Sequence, residues 1–334
     1  MLVCVTGGTG FVGAHSVAAL VGDGHRVRLL ARDPARVPAA LTPLGVNLDA
    51  VEVTVGDVID EGAVGRAVKG TDAVLHAAAV YSFDSRRHAE MRRVNTRGAE
   101  VVLEAARRTG VGRTVHVSTV GALFPSPGPI GPTTPVGNPR ETYLASKAGA
   151  EEVARRHQLD GAPVVITYPP ALAGPDDPHL GDQNARIRDI LRGLMPLWPT
   201  GGFPLGDVRD TAELHLRAFT HPDIGARHFG PGQYIRTREL LATLRQVTGR
   251  ALPAAYLPAR LMFPFARLAD LAQRRWPWHI PAQYGAVYTC AVAAPVDVGA
   301  STLDVPPRPL HETLRDTVHW LLETGRVSPR QAGK

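Results

Sequence analysis

Hydrophobic positions in the first half of the chain fall in short, nearly continuous runs. LVCVT (2–6), RVRLLA (26–31), VEVTV (51–55), AVLHAA (73–78), RTVHVS (113–118) and PVVITY (163–168) are rich in β-branched residues and predict strands. Between them, helical patterns run from Gly10 to Val21, Glu61 to Val68, Arg86 to Thr109 and Tyr143 to Gln158. Apolar strands separated by helices suit a parallel sheet covered on both faces, so the fold expected is a doubly wound α/β domain over 1–175, with 207–230 returning to it. Right-handed crossovers then place the strand carboxyl ends on one edge, where ligands bind. Residues 176–206 and 231–330 combine proline-broken segments with apolar helical stretches, which predicts a smaller, mostly helical substrate-binding lobe. No internal repeat is present.

The residues at those carboxyl ends carry the chemistry. The first strand runs into TGGTGFVG (6–13), where Gly8, Gly10 and Gly13 fit G-x-G-x-x-G and Gly7, Gly10 and Gly13 fit the wider G-x-x-G-x-x-G. Glycine permits the tight turn and lets backbone approach a pyrophosphate, and the following helix offers unpaired N–H groups; a Rossmann-type dinucleotide site is expected, with Thr9, Phe11 and Val12 in the loop. At the second strand's tip the chain reads Ala31-Arg32-Asp33-Pro34. Asp33 is expected to cap a helix that starts with Pro34, which leaves Arg32, with Arg36 as a second cation, for a ribose 2′-phosphate; NADP is favoured over NAD. Asp57, with Val58 beside it, can accept from an adenine amino group or cap the helix that starts at Glu61. Ala77, Ala78 and Ala79 are small enough for a cofactor to lie against the backbone, and His76 reads as a core histidine.

Composition sharpens one position. Of 37 Lys plus Arg residues, three are lysine: Lys69, Lys147 and Lys334. A lysine surviving such a bias suggests a need for a compact ammonium. Lys147 follows Tyr143 by four residues, so both lie on one helix face, and Ser118 and Thr119 end the fifth strand. A nearby ammonium favours the ionised phenol and would draw its pKa down, so that Tyr143 can exchange a proton with a carbonyl oxygen while Thr119 holds the same oxygen. No metal is required. The net charge of +6 comes from arginines scattered among acids, with no run to suggest nucleic acid. Cys4 and Cys290 form neither a metal cluster nor a disulfide framework. With no leader and no membrane-length apolar stretch, a cytoplasmic protein is expected.

TGGTGFVG (6–13), GDV (56–58), HAAA (76–79), VNTRG (94–98), VSTVGA (117–122), YLASK (143–147), YPPALAGP (168–175) and DVRD (207–210) together resemble, in family order over the first 210 residues, an extended short-chain dehydrogenase/reductase of the NAD-dependent epimerase/dehydratase superfamily. The resemblance implies that Gly7, Gly10 and Gly13 form the pyrophosphate loop, that Tyr143 and Lys147 are the catalytic pair with Lys147 also holding the nicotinamide ribose, and that Thr119 is the catalytic hydroxyl with Ser118 its neighbour. It also implies that Asn95 braces the lysine region, and that Val117 and the segment from Pro169 to Leu172 line the nicotinamide. Family members commonly have Arg-Pro where this chain has Tyr168-Pro169. The Arg32-Asp33-Pro34 run is similar to the branch that contains dihydroflavonol and cinnamoyl-CoA reductases, and Val120 stands where dehydratases carry a Glu.

The resemblance places substrate specificity in the lobe. Tyr81, Phe83, Leu123, Phe124 and Phe203, with Trp198, Tyr256, Met262, Trp276 and Trp278, are candidate liners of an apolar pocket. The expected function is NADPH-dependent reduction of an apolar or aromatic aldehyde or ketone to the alcohol, or the reverse. The alternatives are an NAD-dependent sugar-nucleotide epimerase and a cofactor-sensing protein. Residues 258–278 read as a lid helix in preference to a membrane-surface segment, with Pro264 interrupting the pattern. A helix-paired homodimer is the analogue-based expectation, with a monomer as the alternative.

Overall fold

The computed structural model describes residues 1–82, 85–223, 225–273, 284–297 and 299–334. The six apolar runs form β1 (Leu2–Thr6), β2 (Arg26–Ala31), β3 (Val51–Val55), β4 (Ala73–His76), β5 (Arg113–Val117) and β6 (Val164–Tyr168). They alternate with helices α1 (Phe11–Gly22), α2 (Arg36–Leu41), α3 (Glu61–Val68), α4 (His88–Thr109) and α5 (Thr142–Leu159).

Every pairing in this sheet is parallel, in the order β3-β2-β1-β4-β5-β6. Thr6 at the end of β1 lies opposite Leu30 on one side and His76 on the other. Strand order reverses between β1 and β4, the crevice where such sheets bind ligands. The strands read as unbroken apolar runs because both faces are covered. Val3, Val5, Leu29 and Leu75 pack with α1, while Cys4, Leu30 and Val74 pack with α3 and α4. Each fully buried aliphatic side chain contributes about 1.5–3 kcal/mol relative to exposure.

After β6 the chain leaves the sheet through Pro169-Pro170 and builds the lobe. Its elements are β7 (Ala171–Ala173), α6 (Asp182–Leu191), β8 (Leu197–Thr200) and β9 (Gly202–Asp207). The chain then returns as α7 (Val208–Thr220), which packs on α1, and β10 (Arg227–Phe229), which pairs in parallel with β6 as the sheet's seventh described strand. The remainder is β11 (Gln233–Arg236), α8 (Thr237–Thr248), β12 (Ala255–Pro258), α9 (Ala259–Gln273), α10 (Tyr284–Val292), α11 (Leu310–Glu323) and α12 (Pro329–Ala332).

The lobe is less purely helical than the sequence pattern suggests. Strand β9 joins β7 in parallel and β11 antiparallel, and β8 pairs with β12. Pro199, Gly202, Pro204 and Pro258 sit in these strands and mask their β signal. Helix α9 continues through Pro264, which the pattern had read as an interruption. Asp207 joins the two layers: its carboxylate caps α7 at Arg209 N (2.9 Å), pairs with the Arg209 guanidinium (2.7 Å) and accepts from Thr313 Oγ1 of α11 (2.9 Å).

The first turn of the fold depends on two glycines. Gly7 has φ +79°, and a Cβ there would lie 2.6 Å from Ala78 N; a Cβ on Gly13 would lie 2.2 Å from the Gly7 carbonyl oxygen. Gly22, on the same helix, meets nothing within 4 Å. We expect Gly13→Val to lower the unfolding free energy by about 1–3 kcal/mol in a urea titration through overpacking. Gly22→Ala should be neutral or slightly stabilising, and equal behaviour of the two variants would refute the close approach.

Candidate active site

Loop and helix geometry at the end of β1 create an anion cradle. Gly10 N–H donates to the Gly7 carbonyl at 2.9 Å and closes the loop. Helix α1 then starts with no side-chain cap at Gly10 and no acidic residue in its first turn. Its first N–H groups and positive dipole end remain uncompensated, and Thr9, Gly10, Phe11 and Val12 are only half-buried. A pyrophosphate fits this donor set. Beside it, half-buried Ala77 and Ala78 and exposed Ala79 form a platform of small residues.

The tips of β2 and β3 differ from the sequence reading in detail. Arg32 is exposed, but Asp33 does not cap a helix: Ala35 precedes α2, and Asp33 closes a turn around Pro34 by accepting from Ala35 N at 3.1 Å. Arg36 Nε pairs with Asp33 at 3.3 Å, so this cation is tied to Asp33 instead of standing free for a phosphate. Asp57 accepts from Ile59 N at 3.2 Å, and the cap of α3 is Asp60, which accepts from Gly62 N and Ala63 N. Val58 is buried beneath Gly98, so its side chain serves packing.

Strand β5 and helix α5 bring the central group together. Lys147 is 5% exposed, and its Nζ donates to the carbonyl of buried Val117 at 2.7 Å. Burial brings the ammonium down to about 8, opposed by the Glu151 carboxylate one turn further along. Asn95 acts on the turn between Tyr143 and Lys147. Its Oδ1 accepts from Val80 N (2.7 Å), its Nδ2 donates to Val80 O (3.0 Å) and Ser146 Oγ (2.9 Å), and Ser146 donates to Tyr143 O (2.7 Å). Both ends of that amide are engaged with protein, which makes Asn95 a brace for α5.

Helix α5 is capped by a residue the sequence reading passed over. Glu141, 3% exposed, accepts from Tyr143 N (3.0 Å) and Leu144 N (2.8 Å). Glu is not among the short polar residues that usually mark a cap. The Tyr143 ring lies edge-on to Tyr81 with centroids 4.6 Å apart. Burial, then the carboxylates of Glu141 and Asp182, push the phenol above its ordinary range, which reverses the expectation that Lys147 would draw it down. Asp182 stands in the first turn of α6, so the lobe reaches the site electrostatically.

Half-buried Thr119 donates to Pro169 O (3.2 Å) and accepts from Gly121 N (3.3 Å), whereas Ser118 Oγ is buried without a hydrogen bond among the described residues. Pro169 is buried and Leu172 lies in β7. Tyr168, at the position where the family commonly has Arg, donates to Glu151 at 2.5 Å, and Arg155 bonds the same carboxylate at 2.7 Å. His76 meets Thr6 Oγ1 at 2.8 Å, and burial, then Lys147, lowers its pKa to about 3, so it stays neutral.

Five pocket candidates, Leu123, Phe124, Trp198, Phe203 and Met262, are buried in the core clusters. Leu123 and Phe124 pack with Ile130, Tyr168 and Phe229, and Phe203 packs with Trp198 inside the lobe. Residue type could not show which face each aromatic takes. Tyr256 lies under the Arg238 guanidinium, 4.8 Å away, and Met262 is buried on the inner face of α9 against Val287. Tyr81, 38% exposed, faces the site through Tyr143. Phe83, Trp276 and Trp278 lie outside the described residues. Among the described residues no cluster of His, Cys, Asp or Glu could hold a metal.

The model of the NAD dependent epimerase/dehydratase family matches residues 3–230. The chain belongs to this family. As an extended short-chain dehydrogenase/reductase, it is an NAD(P)-dependent oxidoreductase of carbonyl and hydroxyl groups. It is 30% identical to sterol demethylase protein B of Methylococcus capsulatus, over 98% of this chain and 100% of that protein. It is also 30% identical to a putative dihydroflavonol 4-reductase of Synechocystis, over 97% of this chain and 95% of that one. The crystal structure of gox2253 superimposes with a TM-score of 0.79 at 28% identity, covering 98% of this chain and 99% of its own.

Lys147 gives this dehydrogenase/reductase a direct pH signature. The ammonium is present below about 8 and lost above it. Lysine labelled with ¹³C at Cε yields three side-chain resonances, and Lys147→Arg identifies the one that disappears. We expect that resonance to titrate with a midpoint near 8; a midpoint at the ordinary lysine value of about 10.4 would show the ammonium to be solvated.

Proposed function

We propose that the protein reduces an apolar or aromatic aldehyde or ketone with NADPH, or oxidises the corresponding alcohol. The observation that carries this reading is the grouping of Tyr143 and Lys147 on one face of α5 with Thr119 at the end of β5, Lys147 Nζ held on the Val117 carbonyl at 2.7 Å and the Thr119 hydroxyl on the Pro169 carbonyl at 3.2 Å. A protonated acid beside a carbonyl oxygen is what reduction needs.

When bound, the nicotinamide supplies the hydride that the carbonyl carbon accepts. Tyr143 gives its proton to the carbonyl oxygen, which becomes the alcohol hydroxyl. Lys147 places positive charge near the developing oxyanion and reaches the nicotinamide ribose, while Thr119 turns its hydroxyl from Pro169 to that oxygen. Tyr81, edge-on to Tyr143, puts an aromatic side chain at the site, which favours an apolar carbonyl over a sugar nucleotide. Relatives named for a sterol and a dihydroflavonol support the same class.

The cofactor preference rests on the tip of β2. Asp33 spends its carboxylate on Ala35 N and Arg36, so it is held away from a ribose 2′-hydroxyl. Arg87, hydrogen-bonded to Glu90, holds that carboxyl low, with smaller contributions from exposed Arg32 and from Arg93. This concentration of positive charge suits a 2′-phosphate.

Absorbance at 340 nm with NADPH or NADH, across aryl ketones, aldehydes, dihydroflavonols and ketosteroids, tests both parts. Turnover should prefer NADPH, and Tyr143→Phe should lower kcat by about 10²–10⁴-fold. Arg32→Glu should erode the NADPH preference. Preference of the unaltered protein for NADH would sink the role of Arg32, and full activity of Tyr143→Phe would sink that of Tyr143.

A further inference from the structure

We propose that α9 is a docking surface for an anionic lipid bilayer. The helix buries Ala259, Met262 and Ala266 against Val287, with Phe263 and Tyr284 packed around them. Its other side leaves Leu261, Phe265 and Leu268 at 61%, 73% and 63% exposure. These residues follow an i, i+4, i+7 spacing and so form one stripe along the helix. The lid reading of this segment accounts for only the first of the two faces.

Charge selects the occupant. Arg260 and Arg267 are exposed next to the stripe, with the Arg267 guanidinium 5.4 Å from the Tyr284 ring centre. The helix sequence carries two arginines against one acid, Asp270, and is net basic. A bilayer with anionic headgroups satisfies both features: the stripe enters the headgroup and acyl boundary while the arginine stems follow it and their heads stay at the phosphates. No helix among the described residues is long and apolar enough to cross a membrane, so the attachment is peripheral.

The same helix packs against the Ser85–Arg87 turn, shortly after Tyr81 in the chain. If the apolar-carbonyl reading above holds, on which this step rests, a docked α9 places the substrate side of the site next to the lipid phase. The substrate is then one that partitions into membranes.

The test is cosedimentation of the full chain with vesicles of phosphatidylcholine alone and of phosphatidylcholine with phosphatidylglycerol. It needs neither cofactor nor turnover, so its failure and failure of the reductase reading are separable. Binding is expected to the anionic vesicles, weakened by salt, and Phe265→Asp or the pair Arg260→Glu and Arg267→Glu should lower the bound fraction at least about tenfold. These side chains are exposed, and an unchanged thermal melt verifies that the variants fold. Absence of binding, equal binding to neutral vesicles, or binding that Phe265→Asp leaves intact overturns the proposal. So does a dimer, seen by light scattering, that Phe265→Asp abolishes, since the stripe would then belong to a second copy.

Discussion

An ammonium taken out of water needs fixed dipoles or charge around it, and the buried Lys147 imposes that condition on much of the sheet edge. Its first partner is the Val117 carbonyl, at the end of β5. Glu151 supplies negative charge from one turn along α5. The nearest ionisable neighbours on the sheet, His76 and His116, face each other across β4 and β5 and are held neutral by burial, so they add no competing cation. The registers of β4, β5 and α5 are thus mutually constrained by one amine.

Helix α5 is correspondingly fixed along its length. Glu141 closes its first turn, the Asn95 and Ser146 bridge clamps its next turn to α4, and Tyr168 with Arg155 anchors Glu151 to β6. Small residues assist, since a Cβ on Gly149 would come within 3.0 Å of Thr96 Oγ1. The aromatic at 168 therefore fills a structural place between strand and helix. Because it lies 0% exposed and stacks on Phe229, it contributes to the site through Glu151 and not by direct contact.

The Rossmann sheet was legible because strands buried on both faces write themselves as unbroken apolar runs; β1, β2 and β3 coincide with those runs residue for residue. The glycine loop, Tyr143 and Lys147 were legible because their chemistry tolerates few residue types. What stayed hidden depends on facing and on long-range contact. Leu123, Phe124 and Phe203 have the composition of pocket liners but turn inward. Glu141 and Asp182 are ordinary acids in the sequence and become part of the site only when helices from two layers meet. Asp57 read as a possible cap of α3, and the cap is Asp60, the residue immediately before the helix. The three residues of β10 are too few for a period to show.

The burial that tunes Lys147 also shields it from reagents in solution. Lys69 and Lys334 are exposed, Lys69 at the end of α3, on the sheet edge opposite the glycine loop. Acylating dyes, biotin esters and activated resins would therefore find these two amines and the amino terminus. A chain with so few lysines becomes an oxidoreductase that can be tethered to a surface at defined points, with its reactive amine left unmodified.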